Sequence, residues 1–155
     1  MRPTYDAILF DLFGTLVDDG ANAFPGALDC LRALEAVPWA IVTSCGTDFA
    51  LRLIDHAKLP NPPVLVTADD VVRNKPAPDG YLHAAARLGV APDRALVVED
   101  SLQGIAAARE AGMDVVAVLR GRAPNFARAA TYVIGAIAEL RLGAAAGAVE
   151  LDTSG

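Results

Sequence analysis

Residues 95–112 read ALVVEDSLQGIAAAREAG, and this one stretch holds the unit from which the chain is built. Ala95-Leu96-Val97-Val98 is apolar at every position and stops abruptly at Glu99-Asp100. A strand without polar alternation is buried on both faces, as in a parallel sheet covered by helices. Ser101 supplies a side chain able to cap a helix, the pattern to Ala111 is helical, and Gly112 ends it.

The same alternation runs outward in both directions. Further apolar runs are Ala7-Ile8-Leu9-Phe10, Trp39-Ala40-Ile41-Val42, Val64-Leu65-Val66 and Val115-Val116-Ala117-Val118, with Tyr132-Val133-Ile134 a weaker sixth. Between them, residues 26–35 follow Pro25 and space Leu28, Leu31 and Leu34 helically. Thr47 is placed to cap a helix carrying Leu51, Leu53 and Ile54. Pro78 suits a first helical turn and Gly89 a helix end. Alternating βα units predict an α/β, Rossmann-like three-layer sandwich around a central parallel sheet of five or six strands. One domain over residues 1–149 is expected, with 150–155 a flexible tail. No internal repeat or low-complexity linker interrupts the pattern.

Bulk properties narrow the function. Over half of the 155 residues are apolar, 54%, and the mean hydropathy is +0.36, so a core can form. A net charge of −6 and a pI near 4.7 exclude the basic stripe that a nucleic-acid partner needs. Two cysteines, Cys30 and Cys45, make no disulfide framework. No leader-like stretch and no apolar run near the ~20 residues of a membrane span is present. A reducing, cytoplasmic setting without a membrane partner is the expectation.

The chemistry is concentrated after the strands. The first is followed by Asp11-Leu12-Phe13-Gly14-Thr15-Leu16, the second by Thr43-Ser44-Cys45-Gly46, and the fourth by Glu99-Asp100-Ser101. Asn74-Lys75-Pro76-Ala77-Pro78-Asp79 precedes the third helix. In such sheets ligands gather at the carboxyl ends of the strands, near the switch in strand order. Asp11, Glu99 and Asp100 would crowd one spot and repel unless a cation lay among them. Hard oxygen ligands and a phosphate substrate point to Mg²⁺ rather than zinc. Thr43, with Ser44, offers a hydroxyl and amides to a phosphoryl oxygen, and Lys75 supplies fixed positive charge. A carboxylate nucleophile is an established route for phosphoryl transfer.

These four segments, in this order, resemble the four motifs of the haloacid dehalogenase superfamily over most of the chain. Lys75-Pro76-x-Pro78-Asp79, followed by Glu99-Asp100-Ser101-x-x-Gly104-Ile105, resembles the branch of β-phosphoglucomutase-like and phosphoglycolate-phosphatase-like enzymes. The resemblance implies a phosphatase acting through an aspartyl phosphate on a small phosphorylated substrate. It makes Asp11 the nucleophile and a metal ligand, with Thr43 and Lys75 holding the phosphoryl group. Asp100 would ligate Mg²⁺ directly, Glu99 directly or through water, and Phe13 through its main-chain carbonyl.

Two features depart from that pattern. Phosphatases of the family carry a second aspartate where this chain has Phe13, and phenylalanine can neither protonate a leaving group nor activate water. General acid–base help is worth roughly 10²–10⁴ in rate, so substrates with good leaving groups, such as acyl or aryl phosphates, are favoured. Asp18, Asp19 and His56 are the candidates to substitute. A helical cap normally lies between the first two motifs, yet Asp11 and Thr43 are only 32 positions apart, leaving residues 17–24 as a short flap. The expected site is open, which leaves room for a homo-oligomer to cover it. The chain could also be a catalytically weak binding or regulatory module that kept the fold. A metal-free 2-haloacid dehalogenase is a third reading, opposed by the acidic Glu99-Asp100 pair.

Other candidates read as structural. Cys30 falls in an apolar helix pattern, Cys45 has no histidine placed to activate it, and His56 and His83 sit in helix patterns. Arg120 and Arg122, after the fifth strand, could meet an anionic substrate, although a solvated loop is the favoured reading.

Overall fold

The computed structural model describes residues 2–145 and 148–152. In chain order the elements are β1 (Thr4–Tyr5), β2 (Ala7–Phe10), α1 (Ala27–Arg32), β3 (Trp39–Val42), α2 (Thr47–His56), β4 (Val64–Val66), α3 (Asp79–Leu88), β5 (Ala95–Glu99), α4 (Leu102–Glu110), β6 (Asp114–Val118), β7 (Tyr132–Ile134), β8 (Leu142–Ala145) and β9 (Ala148–Leu151). Among them no helix is long and apolar enough to cross a membrane.

Six strands form one parallel sheet in the order β4-β3-β2-β5-β6-β7. The chain leaves β2 toward β3 and β4, then returns to β5 on the other side of β2 and continues to β7. The carboxyl ends of β2 and β5 therefore adjoin at the switch point, where an α/β sheet opens its crevice.

Strand residues alternate between the two faces, and two cores result. Ile8, Phe10, Ile41, Leu96 and Val98 pack with Leu31, Leu53 and Ile54 of α1 and α2. Leu9, Val42 and Val97 pack with Tyr81, Ala84, Ile105 and Ala108 of α3 and α4. These are the three layers the sequence predicts. The caps explain the helix limits: Ser101 Oγ accepts from the Gly104 amide at 3.0 Å, and Gly89 and Gly112 close α3 and α4 at φ of 70° and 80°.

Three details correct the sequence reading. The helix expected over residues 26–35 spans only Ala27–Arg32, because Leu34 and Val37 tighten to bonds on Leu31 and Leu34 and carry the chain into β3. Thr47 is inside α2 rather than its cap; Gly46 precedes it, and the free Thr47 amide donates to Asp69 Oδ2 at 2.9 Å. The loose tail does not start at residue 150. Glu150 and Leu151 belong to β9, which pairs antiparallel with both β1 and β8 in a second, three-stranded sheet. Val149 and Leu151 are buried and join the core cluster that also holds Leu31, Leu53 and Ile54. The rest of the expected tail, 153–155, lies outside the described residues.

Candidate active site

Asp11 follows β2 and Thr43 follows β3, while Glu99 ends β5 and Asp100 comes next, so all four reach one end of the sheet. The loop before α3 brings in Lys75, whose Nζ donates to Asp11 Oδ1 (2.8 Å), Glu99 Oε1 (2.7 Å) and the Val42 carbonyl (2.9 Å). Three acceptors match the three donors of an ammonium group. Above it lies a cleft of about 430 Å³ whose walls include Asp11, Thr43, Lys75, Asp100, Gln103 and Arg120. Phe13 and Ser44 also face this cleft. The sequence-derived residues thus come together, with one difference among them.

The difference is Glu99, which is fully buried and absent from the cleft walls. Its Oε1 accepts from Lys75 and from the Tyr81 hydroxyl (2.6 Å); its Oε2 accepts from the Asp100 amide (3.1 Å) and from the amide and hydroxyl of Ser101. A Cβ on Gly104 would occupy the space of this carboxylate, so only glycine fits in that turn of α4. Gly14 answers a second crowding problem. Its φ is 90°, and a Cβ there would stand 2.5 Å from Asp100 Oδ2.

One hydroxyl ties the remaining carboxylates together: Thr15 Oγ1 lies 3.1 Å from Asp11 Oδ2 and 3.2 Å from Asp100 Oδ1. Oxygens of Asp11, Glu99 and Asp100 lie within 4.8 Å of one another. Burial pushes the Asp11 carboxyl above its ordinary range, which Lys75 partly offsets and the Asp100 charge reinforces. Burial likewise raises Glu99, with the Asp11 charge adding and Lys75 and Tyr81 opposing. For Lys75, burial acts to lower the ammonium, but Asp11 and Glu99 outweigh it and hold the group charged above its usual range. The three neighbouring carboxylates, two of them on the Lys75 ammonium, form an oxygen-rich cluster of the kind that suits a hard divalent cation such as Mg²⁺.

Thr43 takes the Cys45 amide on its Oγ1 at 3.1 Å, which orients the hydroxyl at the cleft edge. Phe13 leaves 45% of its surface exposed. The candidates considered for its lost acid–base role lie elsewhere: Asp18 accepts the Gly20 and Asn22 amides in the flap, Asp19 is exposed, His56 is exposed at the end of α2, and none lines the cleft. His83 is exposed on α3. Cys30 is partly buried against the core, and burial pushes its thiol up to about 12.

Sequence reasoning missed two groups and favoured the wrong reading of a third. Tyr81 looks like an ordinary apolar-stripe residue, and nothing local marks its bond to Glu99. Thr15 resembles a turn residue. The Arg120-Gly121-Arg122 loop is not merely solvated: Arg122 Nη2 donates to the Asp100 carbonyl at 2.7 Å, and Arg120 Nη1 reaches Asp100 Oδ2 at 3.4 Å.

Residues 15–118 match the model of the haloacid dehalogenase-like hydrolase family. Over 102 residues the chain is 45% identical to hexitol phosphatase A of Escherichia coli (strain K12), covering 64% of this chain and 47% of that protein. Over 119 residues it is 39% identical to the phosphoglycolate phosphatase of the same organism, covering 73% and 46%. The chain spans about half the length of these curated relatives. A solved hydrolase from Pseudomonas syringae superposes with a TM-score of 0.76 at 26% identity, covering 86% of this chain and 94% of that one. The chain belongs to the haloacid dehalogenase-like hydrolase family.

Proposed function

We propose that this member of the family is a Mg²⁺-dependent phosphohydrolase in which Asp11 is the nucleophile. The observation that carries the reading is the placement of Asp11 beside Lys75 at the switch point, with Asp100 and the Thr43 hydroxyl facing the same cleft. The phosphatase names of the relatives above support it. Asp11 attacks phosphorus, the bond from phosphorus to the leaving oxygen breaks, and an aspartyl phosphate forms. Water then attacks phosphorus, the bond from phosphorus to the Asp11 oxygen breaks, and inorganic phosphate leaves with the protons of that water as Asp11 is restored. Lys75 offsets part of the burial that disfavours the Asp11 carboxylate and, with the Thr43 hydroxyl and Ser44, holds the phosphoryl oxygens. Asp11, Asp100 and the Phe13 carbonyl would hold the metal. Glu99, whose two oxygens already accept five hydrogen bonds, backs them through Lys75 and the α4 amides. The ion supplies charge neutralisation for the transferring group.

Phe13 delivers no proton, so the leaving oxygen departs as an anion, and a small acyl or aryl phosphate is the proposed substrate class. The test is Mg²⁺-dependent phosphate release from p-nitrophenyl phosphate or acetyl phosphate, run beside Asp11→Asn. Turnover that needs Mg²⁺ and falls in the variant by ~10⁴-fold or more, the scale on which a lost nucleophile acts, supports the reading. Exposed Phe13 in the acid–base position favours a second reading, a weakly active binding module. Mg²⁺ binding with no turnover above Asp11→Asn would select that alternative.

A further inference from the structure

Arg120 adopts a backbone that arginine rarely takes. Its φ is 54°, in the left-handed region, although a glycine with φ of 76° follows it immediately. Such outliers persist when the surroundings enforce them, and they cluster at functional sites. Here the enforcement is the sheet edge beyond β6: the Leu119 amide donates to Ile134 O at 2.9 Å and the Arg120 amide to Gly135 O at 2.8 Å. The guanidinium lies on the cleft wall, 4.6 Å above the Phe24 ring. A guanidinium stacked on an aromatic face keeps its in-plane N–H donors free for an anion.

Its existing commitments are light. The contact with Asp100 Oδ2 is long, at 3.4 Å, and Arg122 stands 3.6 Å from the same oxygen, so Asp100 retains an arginine when Arg120 turns to a ligand. About a third of the Arg120 side chain is exposed. Ser101 and Gln103 share its wall and add polar groups beside it. Lys75 already serves the phosphoryl end of the cleft, so a second cation at a different wall meets a different group. Resting on the phosphohydrolase reading above, we propose that Arg120 recognises a second anionic group of the substrate, a carboxylate or a second phosphate, and that the preferred substrates are acyl or aryl phosphates bearing such a group.

The test uses phosphonates that cannot turn over. Calorimetric titration in Mg²⁺ compares ethylphosphonate, which has one anionic group, with phosphonoacetate, 3-phosphonopropionate and 4-phosphonobutyrate, which carry a carboxylate at increasing reach. At least one carboxylate probe should bind the wild type ~10-fold more tightly than ethylphosphonate, the scale of one charge-assisted hydrogen bond. That ratio should fall to about 1 in Arg120→Gln and persist in Arg122→Gln. Equal binding of all four probes to the wild type, or a preference retained by Arg120→Gln, overturns the assignment and leaves the phosphate site standing. Binding of none of them overturns both it and the phosphohydrolase reading.

Discussion

Glu99 and Asp100 are consecutive, yet they belong to two differently built regions. Glu99 lies in the floor, without solvent, its oxygens saturated by Lys75, Tyr81, Ser101 and the Asp100 amide. Asp100 stands at the wall, beside two arginines whose side chains are 32% and 43% exposed and 3.4 and 3.6 Å away. Strand geometry separates them. Glu99 shares a face with Val97 and points toward α3 and α4, whereas the next residue turns away. The floor is over-determined by hydrogen bonds, and the wall is held by contacts that exchange readily with solvent. Under the proposed reading, the floor fixes Lys75, while the wall carries both the Asp100 carboxylate and the arginines beside it.

The largest effect should come from Lys75→Met. It strands the buried Asp11 and Glu99 carboxylates, and breaking a buried ion pair from one side costs ~3–5 kcal/mol. Urea denaturation in EDTA would read it; a loss below ~1 kcal/mol would show the floor to be no more constrained than the wall. The same pairing sets an alkaline dependence. Because Lys75 is raised above its ordinary 10.5, its stabilising contribution is complete below that value and is lost as pH climbs through the higher folded one. The wild-type urea midpoint should fall over that window, and Lys75→Met should flatten the fall.

Gly104→Ala comes next, since the added methyl meets a carboxylate pinned on both oxygens. Overpacking of this kind costs ~1–3 kcal/mol, measurable as a drop in thermal midpoint. An unchanged midpoint would mean that Glu99 has room to retreat. Arg122→Gln should do least, at most ~1 kcal/mol, because a half-exposed arginine contact is screened by water. A cost as large as that of Gly104→Ala would erase the distinction between wall and floor.

Much of this was legible in the chain itself. Apolar strands ending in Asp11, Thr43 and Glu99 specify the parallel sheet and the end where chemistry gathers, because burial on both faces and strand direction are local signals. The inward turn of Glu99 was not visible, since it depends on which face α3 brings Tyr81 to. The second sheet was hidden for a related reason. Thr4 and Tyr5 are too short a strand to read, and their partners Glu150 and Val149 lie at the far end of the sequence. Arg120 carries no local mark either, because Gly135, across the sheet edge, forces its backbone.

The strand order also governs when the site can exist during folding. β2 obtains one neighbour from β3 nearby, but Ala7 pairs with Ala95, eighty-eight positions onward. Closing so long a loop is slow relative to local pairing. Asp11 and Lys75 can be present on a chain whose β2 edge is still bare, and until β5 docks there the lysine has no Glu99 and the cleft has no floor. Competence therefore arrives late and all at once, with the seating of one central strand.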